Sequence, residues 1–300
     1  MKKVLVIAGP TASGKTGFSL EIARETGWSV ISGDSIQVYR GMDIGSGKVT
    51  AEEMGDVTHY LLDICDPSER YTAADFQRMA REKIEEAEEG IIIAGGTGLY
   101  LKSCLYDYSF EEEEETDENR FDGISDEDLY KILLEKDPEQ AEKIHPHNRR
   151  RVVRSLTILE TTGRKQSEII AAQEHKMLYD TFIAGCTMPR EVLYERINRR
   201  VREMEAAGLE QEVRGLLEKG ITFENTSMKG IGYKEWKGYF EGTMTAEQVI
   251  QEIQKHSRQF AKRQYTWLNH QMPVHWFNIL DETEKEEMKE KIRKWIRESR

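Results

Sequence analysis

Proline and cysteine are both scarce in this chain. Its 300 residues include 6 Pro and 3 Cys against 23 Gly, which excludes a fibrous or Pro-rich low-complexity protein. Cys65, Cys104 and Cys186 stand far apart with no Cys-x-x-Cys pair. Neither a zinc site nor a disulfide framework is expected, and a reducing cytoplasm is the expected compartment. Long hydrophobic runs are missing as well. The longest, Val4 to Ala8 and Ile91 to Ala94, are far too short for a membrane span. The first stops at Gly9-Pro10, too early for a signal peptide despite the preceding Met1-Lys2-Lys3. No membrane partner is expected. What remains, 33% charged and 38% hydrophobic residues, is a soluble globular composition, long enough for two domains or one large α/β domain.

The net charge of −12 argues against a polyanionic partner until its distribution is examined. Between Glu111 and Asp128 eleven acids face one base, Arg120, so this segment carries −10 and leaves −2 for everything else. The run Glu111 to Glu115 is expected to form a mobile loop turned away from any nucleic acid. Bases concentrate elsewhere: five arginines and one lysine between Arg149 and Lys165 against the single acid Glu160, and then Lys255, Arg258, Lys262 and Arg263. A patch, not the total, decides whether a polyanion binds; the alternative for either cluster is a solvated helix face.

The chain opens as strand, Gly-rich loop and helix. Lys3 to Ala8 is a β-type run, and Gly14 to Thr26 has helical spacing closed by Gly27. A second strand over Ser29 to Ser32, a charged helix from Asp75 to Glu89 with Thr72 as its cap, the strand Ile91 to Ile93 and a helix from Gly98 continue the alternation. That rhythm predicts a parallel sheet covered by helices. Beyond about Asp107 it stops. Helices are predicted over Ser125–Glu135, Pro138–Ile144 and Arg149–Thr161, then a return to the sheet at Asp180 to Cys186, then long helices at Arg190–Ala207 and from Thr245 to about Asn269. The fold expected is α/β, a P-loop NTPase-like parallel sheet flanked by helices. Residues 1–110 and 180–300 would make the catalytic core with a helical C-terminal part, and 111–179 a helical insertion domain.

The strongest chemical signal is Gly9-Pro10-Thr11-Ala12-Ser13-Gly14-Lys15-Thr16, a G-x-x-x-x-G-K-[ST] loop between strand and helix. Backbone N–H groups of such a loop converge on an anion, the lysine adds a point charge, and the Thr16 hydroxyl can hold Mg²⁺. A phosphoryl-transfer enzyme of this class needs a second carboxylate at the end of a buried strand. Here Ile91-Ile92-Ile93-Ala94 ends in Gly95-Gly96-Thr97 without one. Tyr60-Leu61-Leu62-Asp63 is the remaining candidate, and equally a strand-end turn. The loop is therefore expected to grip a leaving group, such as the diphosphate of an allylic ester whose C–O bond ionises once that group is held. Asp34, just after the second strand, would lie at the same carboxyl edge of the sheet and could take a proton from an attacking amine. The alternative is a turn aspartate capping the next element.

Longer strings then identify a family. Gly9 to Thr16, Gly33-Asp34-Ser35-Ile36-Gln37-Val38-Tyr39-Arg40-Gly41-Met42-Asp43-Ile44-Gly45, Asp66-Pro67, Tyr71 to Phe76, Gly95 to Leu101, Arg151 to Arg154, Thr162-Gly163, Met204 through Gly208-Leu209 to Glu212-Val213, Gly232-Tyr233-Lys234 and Arg263 to Leu268 closely resemble tRNA dimethylallyltransferases, also called tRNA isopentenyltransferases. The resemblance implies transfer of a dimethylallyl group from dimethylallyl diphosphate to N6 of the adenosine just 3′ of the anticodon, in tRNAs reading codons that begin with U. By the same resemblance Gly9 to Thr16 would bind the diphosphate, with Mg²⁺ on Thr16, and Asp34 would be the base. Ser35, Ile36 and Gln37 would line the adenine and Thr97 would sit near the reacting centre. Arg196 and Arg200 would close on the pyrophosphate. Arg150, Arg151, Val152, Val153, Arg154, Lys229, Gly232, Tyr233 and Lys234 would contact the anticodon stem-loop. Phe260, Tyr265 and Trp267 either stack on bases or belong to a core. Ser46-Gly47-Lys48-Val49 departs from the Thr-Ala-Lys-Pro the family leads one to expect. The chain stops at Arg300 without the Cys₂His₂ finger of some eukaryotic relatives, so a bacterial-type enzyme without zinc is expected, with a monomer as the default. Competing readings are an adenylate isopentenyltransferase, a P-loop kinase of a small metabolite, and a nucleotide-gated RNA-binding module.

Overall fold

The computed structural model describes residues 1–110, 121–172 and 175–298. Most of the acidic run, 111–120, thus lies outside the described residues. The chain divides into two compact units, Met1–Leu105 with Met177–Arg300, and Tyr106–Lys176.

The larger unit starts with β1 (Lys3–Ala8), α1 (Lys15–Thr26), β2 (Val30–Ser32), the short α2 (Ala51–Met54), β3 (His59–Tyr60), α3 (Ala73–Glu86), β4 (Gly90–Gly95) and α4 (Gly98–Leu105). Local chemistry sets several of these limits. Gly27 ends α1 in the left-handed region and donates its N–H to Ala23 O. Thr72 and Asp75 form a reciprocal capping box at the start of α3. After β3 the backbone turns through left-handed Leu61 and Asp63, so Tyr60-Leu61-Leu62-Asp63 is the strand-end turn.

The second unit holds α5 (Asp126–Lys136), α6 (Pro138–Ala141), α7 (Arg149–Thr162) and α8 (Gln166–Ala171). Its core is Phe121, Leu129, Leu133, Ala141, Ile144, Val152, Val153 and Leu156. Arg149 braces it by donating to Phe121 O, Ile124 O and Asp126. The ends of the unit meet where Asp107 N donates to Lys176 O at 3.0 Å.

Back in the larger unit come β5 (Asp180–Thr187), α9 (Arg190–Ala206), α10 (Leu209–Glu218), α11 (Lys237–Phe240), α12 (Ala246–Gln271), β6 (His275–Asn278) and α13 (Glu282–Arg297). Six parallel strands run in the order β3-β2-β4-β1-β5-β6. The C-terminal part is therefore not purely helical as expected. His275-Trp276-Phe277-Asn278 adds an edge strand on β5, too short and too mixed in polarity to carry a period of its own. One face of the sheet is closed by α1 and α13 through Phe18, Ile22, Phe277, Met288, Ile292 and Trp295. Phe76 of α3 stacks on Tyr100 of α4, centroids 4.6 Å apart.

This strand order decides what can meet. β4 lies between β1 and β2, with Ala8 opposite Gly95 and Ser32 opposite Ala94. The loops leaving β1, β2 and β4 therefore emerge side by side at the carboxyl edge, where sheets of this kind bind ligands. Among the described residues no helix is long and apolar enough to cross a membrane.

Candidate active site

The phosphate loop is shaped by backbone that other side chains could not adopt. Gly9 has φ 147°, and a Cβ there would fall 2.6 Å from Cys186 O and 2.8 Å from Ser13 Oγ. Ala12 and Gly14 are both left-handed, which turns the chain into α1, whose first-turn N–H groups have no intrahelical partner. Lys15 Nζ donates to Pro10 O at 2.6 Å, folding the side chain across the loop. Its burial pulls the ammonium from 10.5 down to about 8; the Arg200 cation adds to this, while Cys186 and Asp34 oppose it.

At the end of β2 the backbone is pinned to β4. Gly33 N donates to Ala94 O at 2.8 Å, and a Cβ on Gly95 would fall 2.5 Å from Gly33 O. Asp34 follows at once. Its Oδ1 accepts from Ile36 N at 2.8 Å and from Gln37 N at 3.3 Å; its Oδ2 has no partner among the described residues. Asp34 is thus a turn aspartate and also presents one oxygen for other use. Gln37 differs from expectation. Its Oε1 accepts from the Ser32 hydroxyl and its Nε2 donates to Gly47 O, so its amide braces the fold, and it borders the smaller cavity and not the larger one expected to take the adenine.

The segment after Asp43 is held by Glu212 of α10. One carboxylate oxygen accepts from the N–H groups of Asp43 and Ile44, both at 2.8 Å, and the other from Gly45 N at 3.0 Å and Tyr233 Oη at 2.8 Å. Tyr233 also accepts from Ser46 N at 3.2 Å and is fully buried. A Cβ on Gly45 would strike its ring at 2.5 Å. Tyr233 is therefore a strut inside the protein, which corrects its expected place on the RNA. The Ser46-Gly47-Lys48-Val49 departure forms an ion-paired turn in which Lys48 Nζ joins Asp43, Asp63 and Tyr39 O. That pairing also engages Asp63, the alternative carboxylate.

Two cavities open from this edge. The larger, about 440 Å³, is lined by Thr11, Asp34, Ser35, Ile36, Tyr71, Thr97, Tyr100, Arg200, Lys229, Gly232, Lys234, Phe260 and Arg263 among others. The smaller, about 100 Å³, is lined by Thr11, Lys15, Thr16, Ser32, Asp34, Gln37, Arg200, Phe260 and Gln264 among others. Thr11, Asp34, Ser46, Arg200 and Phe260 border both. Arg200 donates to Gly47 O at 3.1 Å; burial lowers its pKa and Asp34 opposes the shift. Arg196, one turn earlier, points instead toward Met188 Sδ at 3.9 Å and borders neither cavity, so the expected arginine pair does not converge. Of the three aromatics on α12, only Phe260 reaches the cavities. Tyr265 packs against Trp276, centroids 4.6 Å apart, and Trp267 covers Gly98.

In the second unit α7 has two faces. Arg150, Arg151 and Arg154 are exposed, whereas Val152 and Val153 are 0% and 3% exposed inside that unit's core. The two valines are packing residues, which corrects their expected RNA contact.

Comparison with known proteins agrees with this geometry. The sequence pattern described as IPP transferase matches residues 37–271. The chain belongs to that family. A tRNA dimethylallyltransferase of Bacillus cytotoxicus is 45% identical over 289 residues, spanning 93% of this chain and 91% of its own. A crystal structure of the tRNA Δ(2)-isopentenylpyrophosphate transferase of Staphylococcus epidermidis is 40% identical, with TM-score 0.73 over 98% of this chain and all of that one. A eukaryotic dimethylallyltransferase solved acting on tRNA is 29% identical, with TM-score 0.80 over 93% of this chain and 75% of that one.

Of the residues expected from the sequence, the structure brings the loop, Asp34 and Thr97 to the edge of these cavities. Sequence reasoning assigned no role to Glu212, Tyr71, Tyr100 or Gln264. Each lies in a quoted string, but what each touches depends on long-range packing. If Tyr233 is a strut, Tyr233→Phe costs about 1–3 kcal/mol, because it strips a partner from Glu212 and from Ser46 N–H. The urea midpoint should fall while the salt dependence of tRNA binding stays as in the parent. An unchanged midpoint with a flatter salt slope would return the residue to the RNA.

Proposed function

We propose that the chain is a tRNA dimethylallyltransferase. It moves the dimethylallyl group of dimethylallyl diphosphate onto N6 of the adenosine just 3′ of the anticodon, in tRNAs reading codons that begin with U, and releases diphosphate and N6-(dimethylallyl)adenosine. The observation that carries this reading is Asp34 standing on the border of two cavities. One is walled by the phosphate loop, the other is large enough for a base and fringed by Lys229, Lys234 and Arg263.

The smaller cavity takes the diphosphate. Loop N–H groups, Lys15 and Arg200 surround an anion there, and all of them favour charge that grows on the departing oxygen. Thr16, Ser32 and Asp34 give that cavity a set of hard oxygen donors, which suits Mg²⁺. Among the described residues no cluster of three His, Cys, Asp or Glu side chains forms a cage, so an ion at Thr16 would lean on diphosphate oxygens and neutralise part of their charge. The adenine enters the larger cavity, which requires it to leave the stack of the anticodon loop, as single-stranded bases readily do. N6 attacks the allylic carbon, the C–O bond to diphosphate breaks with its electron pair on oxygen, and the proton lost by N6 passes to Asp34 Oδ2. Ile36 N–H and Gln37 N–H hold the other oxygen and fix the carboxylate's direction. Thr97 borders the acceptor side. The arginines of α7 supply phosphate contacts, with salt-dependent affinity. The protein is read as a cytoplasmic monomer.

The deciding experiment offers labelled dimethylallyl diphosphate and Mg²⁺ with unmodified tRNA and AMP in parallel. Label is expected in tRNA alone, at one adenosine beside the anticodon; label in AMP, or ATP turnover without a prenyl donor, would overturn the reading. Asp34→Ala should slow transfer by roughly 10² to 10⁴, the range for a general base, with tRNA affinity retained, and a rate within about threefold of the parent would remove Asp34 from the chemistry.

Lys15 gives a pH signature. With its pKa near 8 in the free protein, the ammonium is charged below that pH and increasingly neutral above it. An anion favours the charged form, so pyrophosphate affinity is full below about pH 8 and declines above. Binding near pH 8 takes up protons, which titration calorimetry in buffers of different ionisation enthalpy measures. Uptake is counted after the proton exchange of pyrophosphate itself is subtracted, and none remaining would show Lys15 already fully charged before binding.

A further inference from the structure

Two of the family strings, Gly95 to Leu101 and Arg263 to Leu268, have no part in the chemistry above except through Thr97 and Arg263. The fold brings them together. Helix α12 crosses the end of β4 so that Trp267 lies on Gly98, where a Cβ would fall 2.1 Å from the indole. One turn earlier Gln264, 8% exposed, reaches two backbones at once. Its Nε2 donates to Gly96 O at 2.9 Å, and its Oε1 accepts from Thr11 N at 2.9 Å. Only this orientation of the amide satisfies both partners, since Gly96 offers a carbonyl and Thr11 an N–H. A Cβ on Gly96 would lie 2.2 Å from Gln264 Nε2, so the glycine makes room for the carboxamide.

We infer that Gln264 is a positioning residue. It sets the spacing between the phosphate loop at Thr11 and the Gly96-Thr97 edge, and so aligns the donor cavity with the acceptor cavity. This inference rests on the transferase reading. Both backbones it clamps border the reaction. Thr11 lines both cavities and Thr97 lines the acceptor side, while Phe260 and Arg263 on the same helix line the acceptor cavity. One carboxamide thereby ties the helix that faces the acceptor to the loop that faces the diphosphate. Transfer between two bound molecules depends steeply on their alignment.

Gln264→Met keeps the length of the side chain and removes both hydrogen bonds. Gln264→Glu keeps the acceptor for Thr11 N–H and loses the donor to Gly96. For the Met variant, kcat at saturating dimethylallyl diphosphate should fall about 10- to 100-fold, the scale of a small misalignment. The dissociation constant for inorganic pyrophosphate, read by titration calorimetry with Mg²⁺, should rise. The KM for an anticodon stem-loop acceptor should stay close to the parent, while the melting temperature falls modestly because Thr11 N–H and Gly96 C=O lose their partner. The Glu variant, which sets a carboxylate against Gly96 O and on the diphosphate cavity, should lose kcat and pyrophosphate affinity at least as far as the Met variant, and it provides the reading if the Met variant does not fold. Parental kcat and pyrophosphate affinity in both variants would overturn the inference, as would an equal loss of donor binding and acceptor binding, the mark of a purely structural contact. A parent enzyme that binds pyrophosphate but transfers no prenyl group would instead sink the transferase reading, and the calorimetry would still report on Gln264.

Discussion

The contact on which the site depends is the pinch between the ends of β2 and β4. Gly33 N–H donates to Ala94 O, and Gly33 and Gly95 approach so closely that a Cβ on Gly95 would meet Gly33 backbone at 2.5 Å. β4 is the only strand separating β2 from β1. With β4 alone between them, the ends of β2 and β1 release Asp34 and the phosphate loop at the same edge of the sheet, where both border the same two cavities.

A second tier of contacts holds loops that have no regular structure of their own. Glu212 gathers three consecutive N–H groups and a tyrosine hydroxyl onto one carboxylate. Lys48, with a side chain only 6% exposed, joins two aspartates and a carbonyl. Hydrogen bonds to charged groups contribute roughly twice what neutral ones do, and removing one partner strands the other. The segment between Gln37 and Lys48 therefore behaves as part of the framework although it lacks helix or strand. Its rigidity matters, since Gly47 O receives both Gln37 and Arg200 and so fixes the arginine beside Asp34.

What could be read from the sequence was whatever a short window determines. The phosphate loop carries its glycines, lysine and threonine in eight residues. The caps at Thr72 and Thr245 are reciprocal boxes four residues long, and Gly27 and Gly163 stop their helices by adopting φ values that favour glycine. Of the two sequence readings of Asp34, the turn aspartate is visible in the geometry of one oxygen, while the other oxygen is open among the described residues. What could not be read was which side chains are consumed by the fold. Gln37 and Tyr233 sit in strings that mark the family, yet their polar atoms serve backbone more than a hundred residues away in the case of Tyr233. Val152 and Val153 interrupt an arginine run, and their burial follows from a helix period that places them opposite the charges. The edge strand β6 was hidden because four residues paired to β5 leave no pattern by themselves.

The distribution of charge inside the site favours a leaving group over a phosphoryl donor. A strand-end carboxylate beside the phosphate loop would place negative charge where metal and phosphoryl oxygens meet. Here β4 ends in glycines, and the room they free is taken by backbone and the neutral carboxamide of Gln264. The ionisable groups bordering the small cavity include two cations, Lys15 and Arg200, both desolvated, with Asp34 as the opposing charge. Desolvation makes each cation costly to hold alone and more favourable to pair with an anion. That cost is relieved when a diphosphate arrives, and relieved further as a broken C–O bond adds charge to it. Burial lowers the lysine's pKa in the free protein, and on the proposed reading the same desolvated cations favour the departed diphosphate over the intact ester, because charge grows on the leaving oxygen.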